Sequence, residues 1–243
     1  MKHETIEGII DDLNSGQIQD LIFRATLTES VEYSKVWLEE PSGSVPNESA
    51  YDFFFIKNEV DTYVAAVLDM HNDLHVFVKK SYRGNGYLTR ALHEVILPKL
   101  FQDGRRKQTV TFKDSIGRNH CTKNLGFLMI NESTAEKDLS CYSNAPKIRQ
   151  VPGKISEKEF EQFKIKINHS KALLEMIKDK LVITYGDCEG IYLTDLIHDI
   201  IWLDDKILNF IEKKQGRLVR GGPENLNKLL SGKSATNRTH NRA

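Results

Sequence analysis

Apolar positions along residues 51 to 80 fall into three short blocks. YDFFFIKN (51–58), TYVAAVLDM (62–70) and DLHVFVKK (73–80) are rich in aromatic and β-branched side chains, which suit a pleated surface. The breaks between them, NEVD and HN, are short and polar, so the three blocks predict an antiparallel meander. Upstream, HETIEGIIDDLN (3–14) fits a short helix. LIFRATL and VEYSKVWL, within 20–40, fit strand or helix equally well, and PSGSVPNES (41–49) is loop chemistry. Downstream, YLTRALHEVILPKLF (87–101) predicts a helix with Leu88, Leu92, Val95, Ile96 and Leu100 on one face. Pro98 lacks the N–H a helix interior needs and predicts a kink or a shorter helix. QTVTFK (108–113) fits a further strand, IGRNHCTKNLG a short helix closed by glycine, and GFLMIN and LSCYS two more strands.

After about residue 147 the pattern changes. KIRQVPGK has linker chemistry, and SEKE (156–159) is a capping-box signature in which Ser156 and Glu159 each satisfy a free N–H. Phe160, Phe163, Ile167, Leu174, Ile177 and Leu181 then fall at three- and four-residue steps, broken at Ser170. ITYGDCEG turns the chain into a second helix, YLTDLIHDIIWLDDKILNFIEKK (192–214), with a wide apolar face. A hairpin with this much apolar surface must bury it against its own first domain, a twin copy or another protein, so a homodimer or heteromer through 156–214 is foreseen. The organisation expected is thus a domain at 1–147, a helical hairpin at 148–215 and a basic tail at 216–243. The tail carries six Lys/Arg against one Glu; disorder is its default, and a nucleic-acid contact through it stays open.

Composition narrows the class. Lys+Arg and Asp+Glu balance at 34 each among 243 residues, which argues against a general polyanion partner. The longest apolar run, Tyr63 to Leu68, is far short of the ~20 residues a membrane span needs, and the N-terminus has no signal core, so no membrane association is expected. Three cysteines, Cys121, Cys141 and Cys188, form no CxxC pair. Reduced thiols in a cytoplasm are expected, and no metal site. His198 and Asp199 are helical neighbours that do not share a face, so they suggest neither a metal nor a nuclease site.

The chemistry concentrates at VKKSYRGNGYLTRAL (78–92). A strand ending at Val78, then Arg83-Gly84-Asn85-Gly86, then a helix gathers unpaired N–H groups at a positive helix end, an arrangement that binds a phosphate or pyrophosphate. Neither GxGxxG nor GxxxxGK[ST] is present. The stretch 62–129 resembles the GNAT superfamily of N-acetyltransferases, in which a strand V-x-x-x-x-[QR]-x-x-G-x-[GA] runs into a helix. Val78, Arg83 and Gly86 match, Leu88 departs at the last position, and Tyr87-Leu88 is similar to the family's "GYL" variant; Leu125-Gly126-Phe127 supplies a second signature. The resemblance covers roughly 50–145 and implies an α/β (α+β) fold with a central mixed, mostly antiparallel sheet flanked by helices.

What the resemblance implies for function is acetyl transfer from acetyl-CoA, the co-substrate, directly to an amine acceptor of unknown identity. The backbone around Val76, Phe77 and Val78 is expected to bond the pantetheine arm where strands splay, and the amides of Gly84, Asn85, Gly86, Tyr87 and Leu88, with Arg83, the pyrophosphate. Ser115 stands where the family often has asparagine. The position of the family's carboxylate base is Asn72, which leaves His71 and Asp73, its neighbours, as the candidate bases if a local bulge turns one inward. The position of the thiolate's proton donor is Thr122, with Tyr82, Tyr87 and Tyr142 as substitutes. A GNAT-fold binding or assembly protein with weak or no catalysis, acting through the hairpin, is the rival reading. An acyltransferase acting on a macromolecule such as tRNA is a narrower variant.

Overall fold

The computed structural model describes residues 1–17, 21–43, 49–112, 115–189 and 191–216. The chain divides into two units, Met1–Gly153 and Lys154–Ala243.

The first unit is built on a five-stranded meander: β1 Ile22–Thr28, β2 Val31–Val36, β3 Tyr51–Lys57, β4 Tyr63–Asp69 and β5 Leu74–Val78, all antiparallel and in chain order. The ambiguous stretch 20–40 is therefore a hairpin, its turn held by Val31 N–H donating to Thr28 Oγ1 at 3.1 Å. Side chains alternate across a pleat, so the Phe53-Phe54-Phe55 run serves both faces at once. Phe53 and Phe55 stack with centroids 5.3 Å apart and pack with Ile6, Ile9 and Ile10 of α1 (His3–Asn14). Phe54 turns the other way, into a core with Leu92, Val95, Ile96 and Leu100. A sheet covered on both faces reads as continuous apolar runs, which is how β3 and β4 read.

The predicted helix at 87–101 continues as one helical run through 87–102, so Pro98 does not shorten it. It consists of α2 (Tyr87–Ala91), a π turn (Leu92–Ile96) and α3 (Leu97–Gln102), with Pro98 in the first turn of α3. The wider turn just before the proline shifts the hydrogen-bond register, so the N–H that Pro98 lacks falls where a helix start needs none.

A second sheet, order β6-β8-β7, comprises β6 Lys107–Thr111, β7 Leu128–Met129 and β8 Thr134–Asp138. The expected strand LSCYS is instead a 3₁₀ turn at Ser140–Tyr142, started by Asp138, whose carboxylate accepts the Ser140 N–H at 2.7 Å. The strand lies one segment earlier, at TAEKD, and GFLMIN pairs only through its two-residue core. Between β6 and β7 lie α4 (Ser115–Asn119) and a second π turn (His120–Asn124). The first unit is thus a mixed α+β fold of antiparallel sheets flanked by helices, the class expected. Residues 148–153 belong with it: Ile148 packs on the core and Val151 N–H donates to Thr26 O at 2.9 Å.

The second unit holds α5 (Glu157–Tyr185), α6 (Leu193–Ile201) and α7 (Leu203–Gln215). The capping box forms as the sequence predicts: Ser156 Oγ accepts the Glu159 N–H, and the Ser156 N–H donates to Glu159 Oε2 at 2.8 Å. The single helix foreseen at 192–214 is interrupted at Trp202, after which Asp204 and Asp205 supply the negative first turn that favours a new helix start. The tail foreseen at 216–243 lies, after Gly216, outside the described residues. No helix among the described residues is long and apolar enough to cross a membrane.

Candidate functional site

The two sheets of the first unit meet at one point. Thr109 N–H of β6 donates to Asn72 O at 3.1 Å, Thr111 N–H donates to Asp73 Oδ1 at 2.9 Å, and Asp73 and Thr109 form a single parallel bridge. The junction is stiffened from beneath by a polar cluster. Gln108, fully buried, donates Nε2 to Asn72 O at 3.0 Å and accepts from Arg105, which in turn holds Asp69 through two 2.9 Å hydrogen bonds. Past this vertex β5 and β6 no longer pair, and a cleft of about 460 Å³ opens between them.

The cleft's polar wall follows from parity. Lys79 N–H donates to Val64 O and Met70 N–H to Asp73 O, so the odd-numbered residues beside and within β5 spend their backbone groups on β4. Leu74, Val76 and Val78 therefore turn theirs toward the cleft. Val76 and Val78 line it, whereas Phe77 turns its backbone to β4 and its side chain to the α1 core. The splayed edge thus uses two of the three residues foreseen for it. Val78 O already accepts Arg83 Nε at 3.1 Å, which anchors the next segment.

That segment closes one end of the cleft. A 3₁₀ turn at Lys80–Tyr82 leads into Gly84 (φ 80°) and Gly86 (φ 78°), the latter capping α2, and no atom lies within 4 Å of where a Cβ would stand on either. Both glycines are dictated by the left-handed backbone, and both leave open space above it. Arg83, Gly84, Gly86, Tyr87 and Leu88 line the cleft; Asn85 is exposed and instead donates Nδ2 to Tyr82 O at 3.3 Å. Glu59 of the β3–β4 turn fixes the helix start by accepting from Tyr87 Oη at 2.9 Å and pairing with Arg90 at 3.2 Å. A backbone hydrogen bond at Glu59 itself, then the Tyr87 hydroxyl and Arg90, hold the Glu59 carboxyl below its usual range. The far wall is the α4–π segment, through Ile116, Gly117, His120, Cys121 and Asn124, while Ser115 stands exposed at its start and off the lining.

Neither candidate base lines the cleft, although Asp73 stands at its vertex. His71 sits in a separate hollow with Tyr33, Asp52, Lys99 and Arg105. Asp73 is engaged at the vertex by Thr111 N–H. The β4–β5 ladder is regular from Ala65–Val78 to Asp69–Leu74, so no bulge turns either residue inward. Thr122 donates its hydroxyl to Arg118 O at 2.9 Å. Of the substitute tyrosines, Tyr82 and Tyr87 line the cleft. Tyr142 is off the lining, 3.2 Å from His93 Nδ1, and burial pushes its pKa up to about 12.

Sequence reasoning missed His120 and Cys121, both on the cleft wall. Burial lowers the His120 pKa, and its Nε2 is sealed from solvent without a hydrogen-bond partner among the described residues. Asn124 Nδ2 approaches His120 Nδ1 at 3.4 Å; with the amide donating, the ring's proton lies on Nε2. Burial, aided by the nearby Asp73, pushes the Cys121 thiol up to about 11. The available signal was their place on the cleft side of IGRNHCTKNLG, visible only once the π turn fixed the helix's rotation. No group of three or more His, Cys, Asp or Glu among the described residues could hold a metal ion.

No protein-family model matches the chain, and no curated protein matches it. Among solved structures, mutant forms of the spermidine/spermine N-acetyltransferase SpeG from Vibrio cholerae align at 12% identity. That alignment covers 40% of this chain and 72% of the other, with a TM-score of 0.32.

Proposed function

We propose that the first unit is an acetyl-CoA-dependent N-acetyltransferase that transfers the acetyl group directly to an amine. The observation that carries this reading is the cleft itself: an unpaired strand edge leading to a left-handed glycine loop at the start of a helix. A pantetheine arm is a chain of amides, and the backbone groups of Val76 with the Val78 N–H offer it the strand it lacks. The amides of 84–88 and the Arg83 guanidinium suit a pyrophosphate, which gains from the positive helix end as well. When bound, acetyl-CoA supplies an activated acyl thioester. The chain's own part is to hold that arm along β5, to screen it from water with the α4–π wall, and to leave the reacting end near the vertex.

A second reading, a GNAT-fold binding protein with little catalysis, is favoured by one observation. Three of the groups foreseen as base or acid are off the cleft lining and already engaged: His71 in another hollow, Asp73 at the vertex with Thr111 N–H, and Thr122 on Arg118. The test is calorimetric titration of acetyl-CoA into the wild-type chain, Gly86→Glu and Gly86→Ala. Both variants carry the backbone strain of a side chain at φ 78°, but only one adds a carboxylate where the pyrophosphate is proposed. A like charge there costs several kcal/mol, so Gly86→Glu is expected to lose about 100-fold or more in affinity while Gly86→Ala largely keeps it. No binding by the wild type overturns the first reading and leaves a binding or assembly protein that acts through the hairpin. Binding with no acetyl transfer to any amine, and so no release of coenzyme A, favours the second.

A further inference from the structure

The second unit carries an apolar seam on α5 that its own helices leave bare. α6 and α7 pack on α5, and the apolar α5 residues that are buried or half-buried, Phe160, Phe163, Ile167, Leu174 and Leu181, fall on one side. On the opposite side Ile165, His169, Ala172, Met176, Asp179 and Ile183 follow one another at alternating four- and three-residue steps. That is the a/d spacing of a coiled coil, sustained over more than two heptads. Ile165, Met176 and Ile183 are 60%, 62% and 85% exposed, and they are aligned along one helix face rather than scattered.

We propose that this seam pairs with the same seam of a second copy of the chain, the two α5 helices running antiparallel about a two-fold axis at Leu174. The sequence of the seam is what selects this partner and this direction. About that axis Ile165 faces Ile183 of the other copy, Ala172 faces Met176, and His169 faces Asp179, so every layer pairs an a position with a d position. A large side chain meets a small one at the centre, and the two polar residues meet each other. A parallel pairing in register sets His169 against His169 and Asp179 against Asp179, which is unfavourable. The surface is already shaped for knobs: a shallow depression is lined by Asn168, Lys171, Ala172 and Glu175 and, one turn on, by Ala172, Glu175, Met176 and Asp179, each set with the i, i+3, i+4, i+7 outline of a hole. Leu173, 45% exposed, faces its own copy beside the axis and widens the contact. Glu175 also nears its own copy there, but Lys178 neutralises it at 2.7 Å.

The test is the molar mass of the full chain by light scattering over a dilution series, with Met176→Glu and Ile183→Glu. Twice the chain mass is expected for the wild type and the single chain mass for both variants, with unchanged melting of the first unit because neither side chain is buried. Direction is read by oxidative cross-linking in a chain with Cys121→Ser, Cys141→Ser and Cys188→Ser. Residues 165 and 183 are about 27 Å apart along a helix. Ile165→Cys combined with Ile183→Cys should therefore link two copies efficiently, while either alone should not. Single variants that cross-link overturn the antiparallel register. A chain that is monomeric at every concentration, that gains mass only with a different protein, or whose dimer ignores Met176→Glu overturns the proposal.

Discussion

At the scale of single residues the cleft holds one conspicuous expense. A buried N–H without a partner, such as that on His120 Nε2, costs about 1–3 kcal/mol. His120→Phe keeps the ring's bulk and removes that group, so the free protein should melt at the same or a higher temperature. If the ligand's acceptors satisfy this N–H, the same variant should bind acetyl-CoA about tenfold more weakly, a loss of ~1.4 kcal/mol. A fall in melting temperature would mean that the imidazole serves the free fold instead. Cys121 makes a complementary prediction. With its pKa near 11, only about one thiol in a thousand is thiolate at pH 8, against roughly a quarter for an ordinary cysteine. Iodoacetamide with mass-spectrometric readout should therefore label exposed Cys141 long before Cys121, and Cys121 should become reactive only as the pH approaches its pKa or the fold opens.

At the scale of elements, α1 is fastened to the sheet by a side chain acting as a strand. Asn14 donates Nδ2 to Tyr63 O at 2.9 Å and accepts the Tyr63 N–H at 2.8 Å, occupying both polar groups where β3 and β4 slip register between Ile56 and Lys57. Asn14→Ala should cost about 1–3 kcal/mol, visible as a lower urea midpoint with an unchanged slope. Such clamps explain what the sequence conveyed and what it withheld. The meander, the capping box at Ser156 and the helix at 87–101 were legible because periodicity and local capping chemistry determine them. Two outcomes depended on longer-range accounting: Pro98 was absorbed by a π turn, and LSCYS lost its strand to TAEKD because pairing with β6 decides register. The cleft loop was legible from two glycines that need positive φ. The identity of its opposite wall was not, because a π turn rotates His120 and Cys121 in a way that a 3.6-residue repeat cannot foresee.

At the scale of the whole molecule, the two units present different kinds of unfinished surface, among the described residues an unpaired strand edge in one and an unpaired helical seam in the other. The strand edge has a consequence in solvent exchange. Because alternate residues of β5 face β4 and the cleft, neighbouring amides of one short strand belong to two protection classes. In the free protein Phe77 should exchange its amide hydrogen for deuterium slowly, at the rate of the sheet, while Val76 and Val78 exchange fast. An acyl-pantetheine arm laid along the edge would slow the even-numbered amides and leave the odd ones unchanged. A period-two footprint of this sort, read residue by residue by NMR, would report where the arm lies and how far toward Asp73 it reaches, even before any acceptor is known.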